Sequence, residues 1–206
     1  MNSAVRVRLK LTEEQKAHLV ALQVMFARAC NSLAEVVQRT RCWNRVTLHH
    51  LTYKDLRAQF PELGSQMVCN AIYSVCRSAR MVFQHPGSPL HISRLDGKQL
   101  PLLAFAENSP VYFDRHTLSI KDGTLSMFTL GGRIRFRLAL SSADEARFHH
   151  QKLREVVLQR TEGGYFELAF RMDEENEPAP EEAGRPLMSR RSPFPDYIKV
   201  EVPHES

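Results

Sequence analysis

At 206 residues the chain is long enough to bury a full core, in one large domain or two small ones. Hydrophobic residues make up 43% and charged residues 25%, an ordinary globular balance that argues against a disordered or fibrous chain. The net charge of +5 averages two unlike parts: residues 1–171 hold 24 Lys+Arg against 14 Asp+Glu, whereas residues 172–206 hold 4 against 9. A basic body with an acidic end points to nucleic acid or another anionic surface as partner. No run of about 18 apolar residues and no signal-like start is evident, so a cytoplasmic protein without a membrane span is expected. Cys30, Cys42, Cys69 and Cys76 include no Cys-x-x-Cys pair, which predicts reduced thiols, no metal site and no cofactor.

In chain order, Val5-Arg6-Val7-Arg8-Leu9-Lys10-Leu11 alternates apolar and basic residues, the period of a strand with one buried face. Its exposed face would carry Arg6, Arg8 and Lys10. Thr12-Glu13-Glu14-Gln15 fits a capping box, with acids in the first turn complementing the helix dipole. Leu19, Leu22, Phe26, Ala29, Leu33, Val36 and Val37 then keep a helical stripe to about Thr40. Residues 41–52 break the pattern. Trp43 there either anchors the connection in the core or offers a stacking surface for a base. The adjacent pair His49-His50 diverges on a helix or a strand and is a poor metal pair. Thr52 is expected to cap a short helix, Tyr53 to Phe60, which Pro61 ends.

The stretch Ser65–Gln84 is the most informative. At about 100° per residue, Val68, Ile72, Val75, Ala79, Val82 and Phe83 share one face. Gln66, Asn70, Tyr73, Arg77, Arg80 and Gln84 share the opposite one. That polar row has no carboxylate, although mixed signs normally stabilise a solvated helix face. Amides and arginines are also the side chains that read base edges. The plainer alternative is a bundle helix with a basic outer face.

Residues 85–109 are rich in Pro, Gly and Ser and predict a connector. Alternating segments follow at Val111–Asp114, Leu118–Lys121 and Leu125–Leu130, with Asp122-Gly123 as a strong hairpin signal. After Gly131-Gly132, the run Arg133-Ile134-Arg135-Phe136-Arg137-Leu138 makes every exposed position an arginine. Ser141–Gln151 predicts a short helix opened by Ser142, and Leu153–Arg160 with Tyr165–Met172 predict a last hairpin across Glu162-Gly163-Gly164. Residues 173–206, acidic and Pro-rich, predict a flexible tail. The fold class expected is α+β: a small antiparallel β-barrel from 4–11 and 110–172, with a helical insertion, 12–84, after its first strand.

These pieces, in this order, resemble the amino-terminal half of the TnpB (OrfB) proteins of insertion sequences and their CRISPR type V effector relatives. VRVRLKLTEEQKAHL looks like the opening strand and helix start. ARACNSLAEVV looks like the end of the first long helix, with Asn31 at a position where the family commonly has Asn. SQMVCNAIYSVCRSARMVF looks like the second recognition-lobe helix, and TLSMFTLGGRIRFRLALSSADEARFHHQKLREVVLQRTEGGYFELAFRM is similar to the family's strand block. The resemblance covers about residues 4–172. It implies an oligonucleotide-binding (WED, or wedge) barrel plus a recognition lobe, which together hold a structured or guide RNA and read a short motif flanking the target in duplex DNA. Such a protein delegates sequence reading to base pairing, so phosphate contacts dominate its own interface. The resemblance assigns phosphate contacts to Arg6, Arg8, Lys10, Arg133, Arg135 and Arg137, and base-edge contacts to Gln66, Asn70 and Tyr73, flanked by Arg77 and Arg80.

The departure from the family is the RuvC-like nuclease that would follow. Neither Asp196-Tyr197-Ile198 nor Lys199-Val200-Glu201-Val202 has the flanking glycines of its first motif, and metal-dependent cleavage needs several converging acids. The expectation is therefore a nuclease-free RNA-binding protein, not an enzyme by itself, acting alone, by self-association or within a larger ribonucleoprotein. Its alternatives are half of a split nuclease completed by a separately encoded RuvC-bearing partner, and a non-functional truncated transposon remnant.

Overall fold

The computed structural model describes residues 5–95, 97–138, 140–150, 153–172 and 194–201. These fall into two units, one of residues 5–23 with 110–172 and the other of 24–109 with 194–201. The division falls inside the first helix.

The first unit opens with β1 (Val5–Arg8), where Val5 and Val7 are buried and Arg6 and Arg8 exposed, as the alternation predicts. The capping box forms as expected: the Thr12 N–H donates to Gln15 Oε1 (3.0 Å) and the Gln15 N–H to Thr12 Oγ1 (3.2 Å). It starts α1 (Glu13–Thr40). By length and apolar content α1 could cross a membrane, but half of its most apolar window is buried within the protein. Leu19, Leu22, Phe26, Leu33 and Val37 are all essentially inaccessible, so the stripe serves a core.

Six strands after residue 110 match the alternating segments within a residue or so: β3 (Val111–Phe113), β4 (Leu118–Lys121), β5 (Thr124–Thr129), β6 (Gly132–Arg137), β7 (Leu153–Arg160) and β8 (Phe166–Met172). They hydrogen-bond as two antiparallel sheets. One has the order β1-β8-β7-β3 and the other is the meander β4-β5-β6. Asp122 (φ 49°) and Gly123 (φ 69°) both take the left-handed region, the geometry of a two-residue turn whose twist suits a hairpin. Between β6 and β7 lies α4 (Ser142–His150). Its start is held by Ser141, whose Oγ accepts from the Asp144 N–H (3.1 Å), one residue before the expected cap. Phe148 of α4 meets Phe170 edge to face at 4.9 Å. The architecture is α+β, as expected, and the strands of this unit hydrogen-bond as two sheets, with β1 and β3 the outer strands of one and β4 and β6 of the other.

In the second unit, α2 (Arg45–Gln59) begins eight residues before the predicted helix. Asn44 caps it, its Oδ1 accepting from the N–H groups of Val46 and Thr47. Thr52 is accordingly not a cap: it is buried mid-helix, donating to Leu48 O at 2.7 Å. Pro61 does end α2, and a single 3-10 turn (Pro61–Leu63) leads into α3 (Gly64–Phe83). Trp43 rests against Phe83 (ring centroids 5.7 Å apart) and donates to Gln84 Oε1 at 3.1 Å, the anchoring role rather than a free platform.

Two further corrections concern segments predicted to lack structure. The connector contains β2 (Leu102–Phe105), and the tail contains β9 (Ile198–Glu201); they pair antiparallel, Phe105 opposite Ile198. Asn31 of α1 fastens β2 as a strand would, donating Nδ2 to Phe105 O (3.0 Å) and accepting the Phe105 N–H on Oδ1 (2.6 Å). Gln38, two turns on, donates to Leu100 O at 2.9 Å. Segment 173–193, with the acidic clusters and Arg190-Arg191, lies outside the described residues.

Candidate nucleic-acid interface

In an antiparallel ladder, directly paired residues share a face. Ser119, Ser126 and Arg135 make one row across β4, β5 and β6, and Lys121, Thr124 and Arg137 a second. Phe128 and Arg133 make a third, on β5 and β6. The opposite face carries Leu118, Leu125 and Met127, all buried. Burial of that apolar face fixes the register, because a slip by one residue would turn the arginines inward.

The outer face thus gathers Lys121, Arg133, Arg135 and Arg137 with serine and threonine hydroxyls, one half-buried phenylalanine and, among the described residues, no carboxylate. Arginines on alternate residues of a strand stand about 6.8 Å apart, so each neighbouring pair repels by about 0.6 kcal/mol in water. Salt screens part of this, and a polyanion laid along the row would reverse it. Successive phosphates of an extended nucleotide chain have a similar spacing.

Arg133 is held in place by neutral partners among the described residues. Its Nε donates to Ser126 Oγ (3.0 Å), one terminal nitrogen to Ser126 O (2.9 Å) and the other to His116 O (3.2 Å). All three acceptors are neutral, so the guanidinium keeps its charge while losing conformers it would otherwise have to give up on binding. Lys121, Ser126 and Phe128 were not singled out from the sequence. The signal was there, in the period-2 alternation read across the Asp-Gly turn.

The exposed side of the four-stranded sheet is different. Arg6 donates to Glu167 Oε1 at 2.8 Å, with side chains 51% and 22% accessible. Arg171 pairs with Glu155 at 3.2 Å. Arg6 thus faces a carboxylate within its own sheet, whereas the arginines of β6 do not among the described residues. Arg8 lies over the Tyr165 ring, its Cζ 3.3 Å from the centroid. Lys10 lies just beyond β1, exposed.

Of the polar row predicted on α3, Gln66, Tyr73, Arg77 and Arg80 share the helix's open strip, with Gln84 exposed just beyond it, and Asn70 alone is enclosed. Asn70 is buried, donating to Met67 Sδ at 3.8 Å, and cannot reach a base edge; this candidate is corrected. Ser74 and Ser78 are buried as well, so α3 is enclosed on most sides and has only a narrow open strip. Gln66, Tyr73 and Arg77 are half-buried on that strip and already engaged within the protein, while Arg80 is exposed. Gln66 lines a groove of about 420 Å³ with Cys69 and Ile72 of α3 and Arg45, Val46 and His49 of α2. Arg45 stands 5.4 Å from the Tyr73 ring centroid.

The cysteines are free. Burial pushes the thiols of Cys30 and Cys76 up, that of Cys76 to about 11 even though Arg80 beside it pulls the other way. Among the described residues no three His, Cys, Asp or Glu side chains cluster as metal ligands would.

No protein-family model matches the chain, and no curated protein matches it. The geometry therefore carries the functional reading.

Proposed function

We propose that the protein binds RNA through the acid-free arginine face of β4–β6, as a nuclease-free TnpB-like protein that engages DNA through a guide or structured RNA. The observation that carries this reading is the contrast between the two sheets. On one, Arg6 and Arg171 each have a carboxylate partner; on the other, four cations share a face with none among the described residues. A structural surface favours matched charges, whereas a backbone-binding surface favours like charges in a row. In this reading the two sheets of the first unit correspond to a wedge-type oligonucleotide-binding fold, and α1–α3, inserted between β1 and β2, to a recognition lobe. Duplex DNA with a short flanking motif is then the second partner. A cytoplasmic ribonucleoprotein, with or without a RuvC-bearing subunit, is the setting.

The test is sequencing of the RNA that co-purifies with the protein, together with gel-shift titration of structured RNA between about 50 and 200 mM salt. Enrichment of defined RNA species and a salt-sensitive shift are expected. Protein that elutes free of RNA and shifts none across that range would refute the proposal.

A further inference from the structure

Outside the β4–β6 face, one arginine is held in a way that a solubilising charge does not require. Arg8 of β1 stands directly across from Glu167 of β8. That carboxylate is turned to others, its Oε1 accepting from both Arg6 (2.8 Å) and Gln159 (3.1 Å). Arg8 lies instead on Tyr165, Cζ 3.3 Å from the ring centroid. At that distance only a guanidinium lying flat on the ring keeps its nitrogens out of the ring carbons.

Tyr165 is itself fixed. It is 49% accessible, one of three large apolar side chains exposed among the described residues. Yet the turn before β8 is tightly bonded: the Thr161 N–H donates to Tyr165 O (2.8 Å) and the Gly164 N–H to Thr161 O (2.9 Å). Gly164 has a left-handed φ of 76°. The backbone of Gly163 runs so close to the ring that a Cβ there would stand 2.8 Å from Tyr165 Cε2. An exposed aromatic wedged in a rigid turn, roofed by a flat cation whose outer side is open to solvent, is a surface already ordered before any ligand arrives.

We infer that Arg8, stacked on Tyr165, is a platform for one unpaired nucleobase of single-stranded RNA. The guanidinium plane is weakly hydrated and stacks on π-systems, and unpaired bases stack on arginine planes as they do on aromatic rings. Along a duplex the base faces are covered by neighbouring pairs, leaving only the two end pairs with a face to offer. Lys10, exposed two residues further along the same alternation, supplies a cation for an adjoining phosphate. The inference rests on the nucleic-acid reading above and adds to it the kind of RNA: a single-stranded segment, bound at a site separate from the arginine row.

The test uses the full chain, a fluorescein-labelled oligouridine and a blunt RNA duplex of equal length, read by fluorescence anisotropy. Arg8→Lys keeps the charge and removes the plane, so oligouridine binding is expected to weaken about tenfold while its salt slope stays unchanged. Duplex binding is expected to hold. Tyr165→Leu, which removes the ring beneath, is expected to give the same selective loss. Equal losses on both ligands, or none on oligouridine, would overturn the platform while leaving RNA binding intact. A wild-type protein that binds neither ligand would overturn the nucleic-acid reading and this inference together. Arg8 is exposed, so its lysine variant is expected to fold even if the leucine variant does not.

Discussion

Neutralising the arginine row gives the sharpest quantitative prediction. Replacing Arg133, Arg135 and Arg137 with Gln keeps polarity and removes three charges from one face. On single-stranded nucleic acid each neutralised phosphate contributes about 0.7 to the slope of log K against log salt, so the slope should become shallower by about 2. From counterion release alone, that corresponds to about a hundredfold weaker binding at 0.1 M salt. Stability should change little. Arg135 and Arg137 make no bond within the described residues, and exposed substitutions of that kind stay within about 0.5 kcal/mol. Arg133 loses its bonds to Ser126 and His116, at a net cost of about 1 kcal/mol. Anisotropy titrations of labelled oligouridine at a series of salt concentrations, with thermal denaturation alongside, measure both. A slope unchanged from wild type in a folded variant would refute the assignment of phosphate contacts to β6.

The other predictions concern what holds the scaffold. Asn31→Ala leaves the Phe105 N–H and C=O without their amide partner, so unfolding free energy in urea should fall by about 1–3 kcal/mol. Glu167→Gln removes the partly exposed pair with Arg6 and should cost under about 1 kcal/mol, while steepening the salt dependence of RNA binding by restoring a free cation. Burial raises the Cys76 thiol from 9.0 to about 11, so the folded chain resists ionising it. The stability this contributes is complete below pH 9 and is lost as pH rises through about 11; Cys76→Ala should flatten that part of the pH–stability curve. Thiol titration at mild alkaline pH should find Cys42 and Cys69 reactive, with Cys30 and Cys76 reacting only on denaturation.

What the sequence made legible was whatever depends on neighbours in the chain. The capping box at Thr12, the alternation of β3 to β8 and the Asp122-Gly123 turn are local patterns, and each appears within a residue or so of where it was expected. The pairing of Arg6 with Glu167 was not legible, because the two are 161 residues apart and no local pattern reports it. The early start of α2 was missed because only Leu48, Thr52 and Leu56 are buried on it, a stripe too narrow to stand out behind Trp43-Asn44. The strands β2 and β9 are four residues each, set among prolines and turns, and each exists by virtue of the other. Asn70 was misplaced because a two-faced helix was assumed. Burial of the small polar residues Ser74 and Ser78 alongside it shows α3 enclosed on more than one side.

Ultraviolet cross-linking of single-stranded RNA to the intact protein, followed by peptide mapping, addresses the central claim most directly, because it asks where RNA lies rather than whether it binds. Cross-links should include peptides from Leu118–Arg137, with Phe128 the favoured residue there since it is the aromatic on the arginine face. Efficient cross-linking confined to other peptides, with none from β4, β5 or β6, would contradict it.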